Sequence, residues 1–122
     1  MFIRRLILLK AIDLARKVVE IAGDKQAQDI LLLDVRKVAS FTDYFVILSG
    51  ENERHISALY DEIIGILKKE GVKPYRHEGE TGSGWLLIDY GDTIVHIFSS
   101  VERDYYQLEK LWQQAKPVVR IQ

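Results

Sequence analysis

The stretch from residue 85 to residue 98 limits the fold more than any other part of this 122-residue chain. Two apolar runs, 85–90 and 93–98, flank Gly91-Asp92, and a two-residue loop opening on glycine is the signal of a tight antiparallel hairpin. That loop sets Tyr90 opposite Thr93, Asp89 opposite Ile94, Leu87 opposite His96 and Trp85 opposite Phe98. Alternation then assigns Trp85, Leu87, Asp89, Ile94, His96 and Phe98 to one face of the sheet. Leu86, Ile88, Tyr90, Thr93, Val95 and Ile97 take the other.

The remaining elements fit around this hairpin. Leu8, Ile12, Ala15, Val19 and Ala22 form a one-sided stripe that predicts a helix over 5–22, stopped at Gly23. The runs 30–33 and 44–48 are short, apolar and rich in branched or aromatic residues, as expected of strands covered on both faces in the middle of a sheet. Asn52 can cap a second helix, Glu53 suits its positive end, and Ile56, Leu59, Ile63, Ile66 and Leu67 mark its buried side. Gly71 and Pro74 end it. Leu108, Leu111, Trp112 and Ala115 predict a C-terminal helical face stopped by Pro117, with an unstructured tail beyond. The pattern predicts an α+β fold, a small mixed β-sheet flanked by helices, as one domain over 1–122 with its core at about 8–112.

Composition narrows the function classes. With 17 Lys and Arg against 18 Asp and Glu, the net charge of −1 supplies no large field for a phosphate backbone, so direct DNA binding is not expected. The absence of cysteine removes disulfides, thiolate nucleophiles and Cys-containing zinc sites, and suits a reducing, cytoplasmic compartment. The apolar start at Leu6-Ile7-Leu8-Leu9 is interrupted by Lys10 and Asp13, short of a signal-peptide core, so neither export nor membrane insertion is expected.

Within the hairpin, Asp89 and His96 are diagonal neighbours, and a carboxylate beside an imidazole is the orienting pair of many hydrolases. Ser49, Ser99 and Ser100 lie at strand ends but outside the strained turn that exposes a hydrolase nucleophile. The other readings of this face are a satisfied polar pair on a partly buried sheet and a binding surface anchored by Trp85; the binding surface fits best. His55, His77 and His96 make no metal-ligand spacing, so no metal or other cofactor is expected. His55 reads as a locally bonded residue near a helix start, and His77 as a surface residue in a loop or edge strand. Gly79, Gly82 and Gly84 lead into a strand, not a helix, and read as a flexible loop. Arg16-Lys17, Arg36-Lys37 and Lys68-Lys69 read as solvated faces diluted by neighbouring acids.

Several segments, in order, resemble the ribosomal silencing factor family, also called RsfS or Iojap. They include Ser40-Phe41-Thr42-Asp43-Tyr44-Phe45-Val46-Ile47, Ser49-Gly50 followed by Arg54-His55, and Glu78-Gly79. Trp85 with Asp89-Tyr90-Gly91-Asp92, Val95-His96-Ile97-Phe98, Arg103, Tyr106 and Leu111-Trp112 complete the set. The resemblance implies a protein that is not an enzyme. It implies docking on the large ribosomal subunit through ribosomal protein L-fourteen, which blocks joining of the small subunit and represses translation when nutrients run short. Relatives in organelles act in large-subunit maturation, and the free protein is implied to be a homodimer. The contact residues carried over are Trp85, Leu86, Asp89, Tyr90, Asp92, His96, Arg103 and Tyr106, although alternation turns Leu86 away from Trp85. The family fold is similar to that of nucleotidyltransferases, but the paired strand carboxylates of such enzymes are missing after Ser49-Gly50. Glu51-Asn52-Glu53 and the bulky, basic Tyr75-Arg76-His77 depart from the usual family pattern.

Overall fold

The hairpin forms in the expected register, Trp85 opposite Phe98, Leu87 opposite His96 and Asp89 opposite Ile94. Gly91 takes a φ of 89°, a conformation glycine adopts without steric cost, and the Tyr90 N–H closes the turn on the Thr93 carbonyl at 2.9 Å. In this computed structural model, which describes residues 11–80 and 82–122, the chain runs α1 (Ala11–Asp24), β1 (Gln28–Asp34), β2 (Tyr44–Gly50) and α2 (Glu53–Lys69). It continues through β3 (Arg76–Glu78), β4 (Trp85–Asp89), β5 (Thr93–Ser99), α3 (Ser100–Tyr106), α4 (Leu108–Leu111) and β6 (Lys116–Ile121).

The strands make one mixed α+β sheet in the order β3-β4-β5-β2-β1-β6, with β2 and β5 parallel and every other pair antiparallel. Its first face lies under α1 and α2. There Leu32, Val46, Val95 and Ile88 stand in register across four strands, beneath Val18 and Ala22 of α1 and Leu59 and Ile63 of α2. The second face carries Leu31, Leu33, Phe45, Ile47, Ile94 and Phe98, and Leu108 and Ala115 add buried cover from the C-terminal segment. A sheet with one face under two long helices and the other under short segments leaves part of its second face less covered.

The helix caps show why the elements end where they do. Asn52 caps α2 by accepting the His55 N–H at 2.8 Å, as expected. Gly71, at a φ of 85°, ends it with the Gly71 N–H on the Lys68 carbonyl and the Val72 N–H on the Leu67 carbonyl, a Schellman arrangement. The first helix differs from expectation. Its predicted residues 5–10 lie outside the described residues, and it runs through Gly23 to Asp24. Its cap is the same Schellman arrangement built on Gln26, at a φ of 62°, with the Gln26 N–H on the Gly23 carbonyl and the Ala27 N–H on the Ala22 carbonyl.

The C-terminal segment also departs from the sequence reading. The helical face predicted over Leu108 to Ala115 is cut short to α4, Leu108–Leu111, which leaves Trp112 and Ala115 outside the helix. An unpredicted helix, α3, precedes it across Gln107, at a φ of 48°. The tail read as unstructured forms β6, with Pro117 opposite Leu33 at a register shift. Proline is tolerated there because β6 is an edge strand, whose outer N–H groups need no ladder partner. Arg103 locks this end of the molecule. Its guanidinium donates to the Asp29 carbonyl, to Ser49 Oγ at 3.0 Å and to Glu109 Oε2 at 3.1 Å, joining β1, β2, α3 and α4. No described helix is long and apolar enough to cross a membrane.

Candidate functional site

Period-two alternation on β4 and β5 brings Trp85 and Leu87 of one strand beside His96 and Phe98 of the other on the second face. The indole of Trp85 stacks on Phe98 with centroids 5.0 Å apart and meets Tyr106 of α3 at 4.5 Å. Its Nε1–H donates to His96 Nδ1 at 3.2 Å. That bond requires the neutral imidazole, since a protonated Nδ1 would present a hydrogen to another hydrogen. Burial holds the His96 pKa down to about 4, so the ring is neutral across the physiological range. The His96 bond acts with the Phe98 stack and the Tyr106 contact to orient the indole.

The aromatic surface extends beyond the hairpin. The His96 ring meets Phe45 of β2 edge-on at 5.0 Å, Phe45 meets Trp112 at 5.3 Å, and Phe41 lies 6.1 Å from Trp112. A chain of rings therefore crosses the second face from Phe41 to Tyr106, both open to solvent at 60% and 40%. Phe41, Phe45 and Trp112 were not singled out from sequence as site residues. The parallel register of β2 against β5, which sets Ile47 beside His96 and Phe45 beside Ile94, makes them neighbours of the hairpin.

Asp89 stands at the edge of this face with both oxygens occupied. Oδ1 accepts the Gly91 N–H at 2.7 Å and Oδ2 accepts Arg76 Nε at 3.1 Å. The carboxylate is therefore turned toward the β3 side and makes no hydrogen bond to His96, whose Nδ1 is taken by Trp85. Two of the three serines considered as nucleophiles, Ser49 and Ser99, are engaged as well. Ser99 Oγ caps α3 by accepting the Glu102 N–H at 3.1 Å, and Ser49 Oγ accepts from Arg103. Among the described residues no three metal-ligating side chains gather at one point.

The structure brings Trp85, Asp89, His96 and Tyr106 to this face, with Asp92 exposed in the turn beside it. Leu86 and Tyr90 point to the first face, where each is 6% exposed within the helix-covered core. Arg103 is buried in its own network behind α3. These three support the hairpin and α3 from behind. His55 binds the Glu51 N–H through Nδ1 at 2.9 Å and reaches the Lys25 carbonyl through Nε2 at 2.7 Å, tying the start of α2 to the end of α1. His77 is exposed on the edge strand β3.

Residues 9–122 match the family described as "Ribosomal silencing factor during starvation". The chain belongs to this ribosomal silencing factor family. It is similar to the ribosomal silencing factor RsfS of Bacillus subtilis, with 40% identity over 92 residues, 75% of this chain and 78% of that protein. It is also similar to the mouse protein named "Mitochondrial assembly of ribosomal large subunit protein 1", with 35% identity over 97 residues, 77% of this chain and 42% of that one. A Chromobacterium violaceum crystal structure superposes with a TM-score of 0.82 at 31% identity, covering 85% of this chain and 87% of that one. Like the hairpin, the aromatic face of this ribosomal silencing factor family member lies wholly inside the matched region.

Proposed function

We propose that this chain docks on the large ribosomal subunit through ribosomal protein L-fourteen and blocks joining of the small subunit, repressing translation under nutrient limitation. The observation that carries the reading is the Trp85 face, in a chain of the ribosomal silencing factor family: an indole held by His96, Phe98 and Tyr106, with open aromatic surface on either side. A rigid, amphipathic ring in a partly buried setting is the usual anchor of a protein interface, and little side-chain entropy remains to be lost on binding. In this reading Trp85, Tyr106 and Asp92 touch the partner and Asp89 offers its carboxylate at the rim. His96, Leu86, Tyr90 and Arg103 act through them. The free protein is a homodimer and works in the cytoplasm.

A second reading has the same face serve large-subunit maturation, and the name of the mouse relative favours it. Deleting the gene separates the two, since a maturation factor leaves precursor large subunits behind. For the docking contact itself, Trp85→Ala should weaken capture of the ribosomal protein by about 2 kcal/mol or more, roughly thirty-fold, measured at a temperature where the variant remains folded. Undiminished capture by the folded variant would refute the anchor role.

A further inference from the structure

Around the edge of the sheet from Trp85, β3 and α2 enclose an open groove of about 680 Å³ that the docking reading does not use. Ile64 and Pro74 supply apolar lining, Tyr60 and His77 face each other edge-on at 5.9 Å, and Lys68 and Lys73 line it without an ion-pair partner among the described residues. Among the described residues no acidic side chain lines the groove. Arg76 also lines it, although its guanidinium is shared by Glu78 at 2.9 Å and Asp89 at 3.1 Å. The groove is therefore a local cationic surface on a chain whose net charge is −1.

Tyr75 distinguishes this groove from an ordinary solvated lysine face. It is 82% exposed, the most open large apolar or aromatic side chain among the described residues. Yet it is held in place: its backbone N–H donates to the Asp89 carbonyl at 2.8 Å, and a Cβ at Gly91 would come within 2.5 Å of its ring. A positioned, solvent-facing ring beside unpaired cations and further rings is the arrangement by which proteins hold single strands, with bases stacked on the rings and phosphates near the cations. An acidic peptide would use the lysines and leave the open face of Tyr75 unmatched.

We propose that this groove is a contact surface for single-stranded RNA, with a base stacked on Tyr75 and phosphates paired with Lys68 and Lys73. The choice of RNA rests on the ribosomal reading; the groove chemistry does not, and the surface lies apart from Trp85. The test is titration of the full chain with a fluorescent single-stranded RNA octamer at low salt, alongside the backbone amide spectrum. Shifts should gather at Tyr60, Lys68, Lys73 and Tyr75. Tyr75→Ala should weaken binding about ten-fold while Tyr75→Phe retains it. Lys73→Ala should lower the slope of log affinity against log salt by about 0.7, the value of one single-strand phosphate contact. Trp85→Ala should leave RNA binding unchanged, which separates failure of this proposal from failure of the docking contact. No octamer binding, affinity indifferent to Tyr75→Ala, or equal competition by an acidic octapeptide would overturn it.

Discussion

At the scale of single residues, a buried imidazole serves a neighbouring ring. His96 is 5% exposed, its Nδ1 accepts from Trp85, and its Nε2 is buried with no partner among the described residues. Its pKa falls from 6.5 to about 4 because charging it would place an unsolvated cation among Phe45, Phe98 and Trp85. The unfolded chain therefore takes up a proton near pH 6.5 and the folded one does not until about pH 4. Stability from the neutral ring is fully present above pH 6.5 and is lost as the pH falls toward 4, by up to about 3 kcal/mol. Urea denaturation across this range should show a steeper loss in the wild type than in His96→Gln, which keeps a neutral acceptor beside the indole. Parallel profiles would contradict the assignment. Sequence placed His96 and Asp89 on one face correctly but not their partners, because Arg76 and the tilt of the Trp85 indole come from a third strand and from side-chain packing.

At the scale of elements, what the sequence made legible follows the range of the interactions that set it. The hairpin register was readable because Gly91-Asp92 and strict alternation fix it locally. The start of α2 was readable because Asn52 bonds a backbone group three residues on. The edge strand β6 was not readable: Pro117 argues against a strand, and its pairing with β1 is decided by a segment more than eighty residues away. The same holds for the aromatic face, whose members from Phe41 to Trp112 meet only through the order of strands. The end of α1 yields a prediction. Gln26 occupies the left-handed C′ position of its Schellman cap, where a side chain costs energy and glycine does not. Gln26→Gly should stabilise the protein by about 1 kcal/mol, read as a higher urea midpoint at unchanged slope. A lower midpoint would show that the glutamine side chain contributes more than the strain it imposes.

At the scale of the whole molecule, the sheet divides the work. One face is sealed by α1 and α2 around Leu32, Val46, Val95 and Ile88 and supplies the main core. The other is closed by short segments, and its rings from Phe41 through Trp85 to Tyr106 remain partly open. Arg103, bonded to β1, β2 and α4, anchors α3 and so sets where Tyr106 meets Trp85. A molecule built in this way can act by occupying a surface. In the role proposed above, this occupation keeps ribosomal subunits apart. The most direct measurement is sucrose-gradient sedimentation of purified subunits with and without the protein, blotting each fraction for it. Co-migration with free large subunits and fewer joined ribosomes are expected, with both effects lost in Trp85→Ala. Protein remaining at the top of the gradient while subunits join undisturbed would contradict it.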